Sequence, residues 1–301
     1  MNDRHYRIGF VGIGVLGKGL ALALAAHNYS VVAAHSRSIS SAQWLADRLN
    51  GLQVYATAQD LSDVCDVVFI TTPDSVITSV AESVNWRDGQ AVVHCSGASS
   101  IEILECARAQ GALTGGFHPF QTFAGLDSPE DIGSRLAGVT FAVAGADWLG
   151  RFLWDLGHQL GGQPVTIPDQ HRPLYHASAV LSCGYLAALI QVAVDSWGAM
   201  GFTDQEALDA LLPLATATLE NIGQHGIPAS VTGPVVRGDV STISAHLEAL
   251  SRAVPDAVTV YSALTSASLN LAAQHGVAEP QLEQIQKLIA DYHRRCSPCP
   301  E

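Results

Sequence analysis

Three glycines in the run Gly12-Ile13-Gly14-Val15-Leu16-Gly17 follow the apolar stretch Ile8-Gly9-Phe10-Val11 and open an Ala/Leu-rich segment. This spacing constrains the fold more than any other feature, because each glycine meets a separate demand. Gly12 permits the tight turn out of a strand. Gly14 lets a pyrophosphate approach the backbone, and Gly17 lets the following helix pack closely on a sheet. The start of that helix offers unpaired N–H groups and a partial positive charge to phosphate oxygens. Gly12, Ile13, Gly14, Val15, Leu16 and Gly17 are therefore the expected phosphate-binding residues of a dinucleotide site.

The flanking pattern supports this reading. Strands are predicted at Arg7–Val11, Ser30–Ala34, Val67–Thr71, Ala91–His94, Leu113–Phe117 and Val139–Val143. They are apolar without strict alternation, as parallel strands covered on both faces should be. Helices are predicted between them at Leu16–His27, Ser41–Leu49, Ser75–Ser83, Ile101–Gln110 and Trp148–Leu160. Repeated βα units of this length give a doubly wound parallel Rossmann sheet. Gln163–Pro168 reads as a last strand and a linker, after which no strand is evident. Thr203-Asp204-Gln205-Glu206 is a capping box opening a helix to about Gly223, and further helices are expected at Thr242–Ala253, Asp256–His275 and Gln281–Arg294. The expected organisation is a nucleotide-binding domain over 1–167 and an all-α substrate and dimerisation domain over 168–301.

Composition narrows the partners. A net charge of -13 disfavours nucleic acid and anionic membrane surfaces, both of which require clustered Lys and Arg. Leu181–Ala193 is apolar but ends at Asp195, and a buried helix is the expected reading. No signal-peptide pattern precedes the first strand, so the expected location is the cytoplasm. Cys65, Cys95, Cys106 and Cys183 read as reduced core residues. Cys296-Ser297-Pro298-Cys299 has metal-ligand spacing but stands without a second pair, so a frayed tail is the preferred reading and no metal is expected.

The end of the second strand discriminates between cofactors. It reads Ala34-His35-Ser36-Arg37-Ser38, with no acid to accept from a ribose 2′-hydroxyl. Arg37 can pair with a 2′-phosphate, and Ser36 and Ser38 can donate hydroxyls, so NADP is expected over NAD. The alternative makes Arg37 an ordinary solvated loop residue. Thr71, Thr72 and Pro73 end the next strand, where the cofactor's ribose and nicotinamide should pass. His94, Ser96, His118 and Gln121 follow later strands and should lie deeper in the same crevice; each histidine could equally be hydrogen-bonded inside a loop.

Nearly the whole chain resembles the Rossmann-like oxidoreductases whose C-terminal half is domain of unknown function 2520. These are similar in architecture to 6-phosphogluconate dehydrogenase, pyrroline-5-carboxylate reductase and ketopantoate reductase. The matching stretches are the glycine loop, His94-Cys95-Ser96-Gly97, His118-Pro119-Phe120-Gln121-Thr122-Phe123, Tyr175-His176-Ala177, and Thr232-Gly233-Pro234-Val235-Val236-Arg237-Gly238-Asp239. The resemblance implies an NADP-linked reductase with a helical dimerisation domain, and makes ketopantoate one candidate substrate. In related dehydrogenases a Lys and an Asn on the helix after the linker handle the substrate. Here the corresponding region, Leu181-Ser182-Cys183-Gly184-Tyr185, has neither.

Reduction of a carbonyl or imine needs a hydride, a proton donor and a group holding the substrate's polar end. His171, Tyr175, Ser178 and Ser182 share one face of the helix beginning near His171, and His176 borders it. Tyr175, His176 and His118 are the expected catalytic groups. His94, Ser96, Gln121, Arg237 and Asp239 are the expected substrate contacts, although Asp239 could instead cap the next helix with Arg237 as its partner. Two function classes follow: an NADPH-dependent reductase of a small carbonyl or imine, or a non-catalytic NADP-binding sensor or scaffold. The apolar runs Leu208–Leu214 and Val258–Ala273 lead to the expectation of a homodimer.

Overall fold

The computed structural model describes residues 5–124 and 135–296, without the side chains of His293, Arg295 and Cys296. The Cys296/Cys299 pair thus falls outside what is described. Eight strands form one sheet in the order β3-β2-β1-β4-β5-β6-β7-β8. They are β1 Arg7–Val11, β2 Ser30–His35, β3 Gln53–Val54, β4 Val67–Ile70, β5 Ala91–His94, β6 Leu113–Pro119, β7 Thr140–Gly145 and β8 Gln163–Val165. All neighbours are parallel except β6 and β7, which pair antiparallel. The all-parallel expectation is corrected there, because an apolar strand carries no mark of its direction. The two-residue β3 is too short to leave a pattern and was not foreseen.

Burial explains the strand composition. Val67, Val68, Phe69 and Ile70 are all fully buried, yet they serve two cores. Val67 and Phe69 face helices α1 (Val15–Ala26), α2 (Ile39–Ala46) and, further along the chain, α6 (Asp147–Gln159). Val68 and Ile70 face α3 (Ala58–Val64), α4 (Asp74–Glu82) and α5 (Glu105–Arg108). A strand with period-two alternation between two apolar environments reads as a continuous apolar run. Each such side chain contributes roughly 1.5–3 kcal/mol. Phe10 stacks on Phe69 at 5.2 Å and Phe117 on Phe141 at 4.7 Å, which carries the same packing across the sheet.

The chain divides into two compact units, the first ending at Cys183 and the second starting at Gly184. The expected junction was 167/168; helix α7 (Arg172–Ser182) goes with the sheet because it buries Arg172 completely and bonds to β6 through Tyr175. Cys183 breaks the helix at φ -122° and ψ -84°, and is exposed rather than part of a core.

The second unit contains α8 (Gly184–Gly198), α9 (Asp204–Ser230), α10 (Val240–Ala253), α11 (Pro255–Gln274) and α12 (Glu279–Cys296). The capping box exists: the Glu206 N–H donates to Thr203 Oγ1 at 3.3 Å, and the Thr203 N–H donates to Glu206 Oε2 at 2.9 Å. The helix continues past Gly223 and breaks at Gly226, whose φ is +78°. Ile243, Leu247, Val258, Ile285 and Ile289 make a small core of α10, α11 and α12. Val258 therefore points inward, whereas Leu212 and Leu214 on α9 are exposed. The run Asp169–Gly198 is long and apolar enough by length and composition to cross a membrane, and little of it is buried, contrary to the expected buried helix.

Candidate active site

The glycine loop has the expected strand-to-helix geometry. Gly12 has φ +97°, and a Cβ there would lie 2.7 Å from the Thr72 backbone nitrogen, so conformation and space both require glycine. A Cβ on Gly17 would lie 2.3 Å from the Gly12 carbonyl oxygen and 2.7 Å from Thr71 Oγ1. Gly17 thus seats α1 on the loop itself. At Gly14 the same test meets nothing within 4 Å, so its bare backbone faces open space. Gly14 is also the N-cap of α1 and supplies no side-chain cap, and none of the first-turn residues is acidic. The N-terminal N–H groups beside Ile13, Val15 and Leu16 are thus left for an outside acceptor.

The strand ends around the loop are less uniform. Thr71 Oγ1 donates to the Gly12 carbonyl at 2.5 Å and so holds the loop. Thr72 Oγ1 is buried with no hydrogen-bond partner among the described residues. Pro73 opens α4, whose first residue, Asp74, accepts from Ser96 Oγ at 2.6 Å. Ser96 also receives the Ser99 N–H at 3.1 Å, so its hydroxyl is committed to the protein. Beyond β2, Arg37 is exposed and enters no ion pair with the described residues. Ser36 Oγ accepts the Ser38 N–H at 3.3 Å, and Ser38 Oγ lies 3.0 Å from Ser40 Oγ.

The structure brings His118, Tyr175 and His176 together within the first unit. His118 Nδ1 is 2.8 Å from the Tyr175 hydroxyl, and the His118 and His176 ring centres are 6.4 Å apart. Phe120 packs on the Tyr175 ring at 4.9 Å. A Cβ on Gly97 would fall 2.7 Å from His118 Nε2 and 3.0 Å from His176 Nδ1. The missing side chain at Gly97 is what lets both imidazoles converge. His176 Nδ1 is buried without an acceptor or donor among the described residues. Burial, reinforced by His176, holds His118 down at about 4, and burial pushes Tyr175 up to about 12. Near neutral pH the pair is therefore a neutral imidazole and a protonated phenol.

Other expected residues are placed elsewhere. Ser178 and Ser182 donate to carbonyls of their own helix, at 2.6 and 2.9 Å, and His171 is exposed. The polar stripe reduces to Tyr175 and His176. Gln121 is exposed and accepts the Thr122 N–H at 2.8 Å. Asp239 caps α10: Oδ1 receives the Thr242 N–H at 3.0 Å and Oδ2 the Thr242 hydroxyl at 2.6 Å. These bonds to Thr242 and Ser241 pull its carboxyl down to about 2. Gly238 before it has φ +66°, and a Cβ there would meet Val277 at 2.9 Å. The Arg237-Gly238-Asp239 motif is thus a turn and cap in the second unit, with Arg237 exposed beside it.

Sequence reading missed Arg172, which is completely buried in the first unit. One signal was available: a cation in the first turn of a helix opposes the helix dipole, so it is there for another reason. A cavity of about 590 Å³ opens among Ile101, Val143, Arg151, Trp154, Ile167 and Asp169. Its lining includes neither the glycine loop nor the Gly97 histidines, so the chemistry is better sought at the histidines than in this space.

Residues 1–119 match the Rossmann-like domain, and residues 139–268 match the domain of unknown function 2520. No curated protein matches the chain in sequence. Solved structures match it in fold. A protein of Bacteroides fragilis described as a candidate NADP oxidoreductase is 21% identical, with a TM-score of 0.68 over 89% of this chain and 100% of its own. A reductive aminase from Aspergillus terreus, solved with NADPH and ethyl levulinate, is 15% identical, with a TM-score of 0.61 over 96% and 94%. The 1-pyrroline-5-carboxylate reductase of Streptococcus pyogenes is 16% identical, with a TM-score of 0.59 over 94% and 98%. At these identities the likeness shows a shared fold.

Proposed function

We propose that this chain, which belongs with the proteins joining a Rossmann-like domain to domain of unknown function 2520, is an NADPH-dependent reductase of a small carbonyl or imine compound. The observation that carries the reading is the convergence of His118 Nε2 and His176 Nδ1 on the space left by Gly97, with Tyr175 hydrogen-bonded behind His118. The nucleotide site fits the cofactor on structural grounds: an open glycine backbone at Gly14, an uncapped helix start, the buried hydroxyl of Thr72, and an exposed cation at Arg37. Bound there, NADPH supplies the hydride. The chain's own part is a proton: His118 and His176 stand where a reduced oxygen or nitrogen would need one, and the Tyr175 phenol can replenish His118 through Nδ1. The solved relatives that act on an imine or a carbonyl with NADPH support this substrate class; nothing in the site singles out ketopantoate.

NADPH oxidation at 340 nm against cyclic imines, amine–ketone pairs and 2-oxo acids tests the proposal. Turnover with one of these classes is expected, and tight NADPH binding with no turnover on any would favour the sensor or scaffold. The same reading includes a homodimer formed through α8 and α9, which leave Tyr185, Leu212, Leu214, Leu219 and Ile227 exposed. Light scattering at micromolar concentration should give twice the chain mass; a monomer would reject the dimer.

A further inference from the structure

The cavity of about 590 Å³ in the first unit carries charged groups that the proposed reaction does not use. Its size falls within the range of roughly 300–1,000 Å³ typical of small-molecule sites. One wall is α6. Leu149, Phe152, Leu153 and Leu156 bury the inner face of this helix, while Arg151, Trp154 and Asp155 stand on its outer face and line the cavity. Offsets of three and four make these three side chains neighbours. Another wall is the chain after β8, where Ile167 and Asp169 line the space. A Cβ on Gly150 would meet the Gly145 carbonyl oxygen at 2.6 Å, so a pair of glycines seats α6 against the end of β7.

Packing explains neither the indole nor the charges. Trp154 is 39% exposed and belongs to neither core of the sheet. Arg151 and Asp155 make no ion pair with each other or with any other described residue. Their order, cation before acid, is the weaker one for an i,i+4 pair. Asp169 receives Arg172 Nε on Oδ1 at 3.2 Å, and its Oδ2 has no partner among the described residues.

We propose that this cavity binds a zwitterionic α-amino acid with a large apolar side chain, at a site separate from the Gly97 histidines. Charge balance selects the zwitterion. Arg172 offsets Asp169, so Arg151 and Asp155 leave the lining with one unpaired charge of each sign. A lone carboxylate or a lone amine would match only one of them. An amino acid offers a carboxylate to Arg151 and an ammonium to Asp155 from the same carbon. The ammonium has three N–H donors, and Asp169 Oδ2 is a further acceptor in the same lining. Trp154, Ile101, Val143 and Ile167 supply the apolar surface for the side chain.

Titration calorimetry of the full-length protein with L-phenylalanine, hydrocinnamate and phenethylamine tests this. L-Phenylalanine should bind, and each single-charge analogue should bind about tenfold more weakly, the low end for a charge-assisted hydrogen bond. Arg151→Gln and Asp155→Asn change exposed side chains outside both cores, so both variants should fold. Each should weaken L-phenylalanine by about tenfold and leave NADPH affinity unchanged. Absence of L-phenylalanine binding, equal binding of the three compounds, or parental affinity in both variants would each overturn the proposal. The last result would place the amino acid elsewhere, as would a product held at the histidines.

Discussion

Gly97→Ala is the most direct perturbation of the proposed chemistry. The added methyl carbon would sit 2.7 Å from His118 Nε2, 2.8 Å from His118 Cε1 and 3.0 Å from His176 Nδ1. Those contacts fall short of ordinary van der Waals distance by about 0.7 Å at the worst point. The His118 ring cannot yield freely, because its far nitrogen is bonded to the Tyr175 hydroxyl at 2.8 Å. Moving it loses that hydrogen bond, about 0.5–1.5 kcal/mol net, and overpacking adds about 1–3 kcal/mol of strain. The fold, with its cores on both faces of the sheet, should survive such a cost. Catalysis should not, since a misplacement near 1 Å can lower a rate about 100-fold. The expected result is a kcat lower by about two orders of magnitude on the best substrate of the panel, with NADPH affinity, measured by cofactor fluorescence, within about threefold of the parent. A variant that turns over at the parental rate would refute the assignment of the reacting centre to this space.

Arg37→Ala should weaken NADPH by about tenfold, the low end for a charge-assisted bond because the side chain is exposed, and leave NADH nearly unchanged; equal losses for both cofactors would contradict a 2′-phosphate contact. Asp239→Asn should destabilise the second unit near neutral pH. The folded carboxyl is lowered to about 2, so the cap's contribution is present above the unfolded value near 4 and is lost as pH falls through about 2. Circular dichroism melts from pH 7 to pH 2 should therefore converge for variant and parent at the acid end.

The parts legible in the sequence were those in which local chemistry decides. The glycine loop was readable because Gly12 and Gly17 answer constraints set within their own βα unit and by the neighbouring strand end. The Thr203 capping box was readable because both partners lie three residues apart. Two of the proposed catalytic groups, Tyr175 and His176, were legible as polar residues on an apolar helix, but their meeting with His118 depends on chain 57 residues away. The burial of Arg172 was not legible beyond the hint of a cation in a first helical turn, since complete burial of a guanidinium is a property of what surrounds it. Arg237 and Asp239 were read in two ways, and Asp239 took the local one, because hydrogen bonds to residues two and three positions on are made before any ligand arrives.

The antiparallel step in the sheet has a consequence for how the parts of this protein can be separated. β6 pairs with β5 only from Leu113 to Gly116, while its pairing with β7 runs from Gly115 to Pro119. His118 therefore projects beyond the parallel strands like the end of a cantilever, held on one side by Ala142 of β7. The Rossmann-like match ends at residue 119, and the next match begins at residue 139, one residue before β7. The strand that steadies the histidine is thus lent by the neighbouring family module. A chain cut at the boundary between the two matches would keep every residue of the glycine loop and lose the support of His118, along with the Phe141 ring that covers Phe117. The proposed proton donors thus come from both modules, His118 from the first and Tyr175 and His176 from the second, and the sheet is stitched across the seam between them.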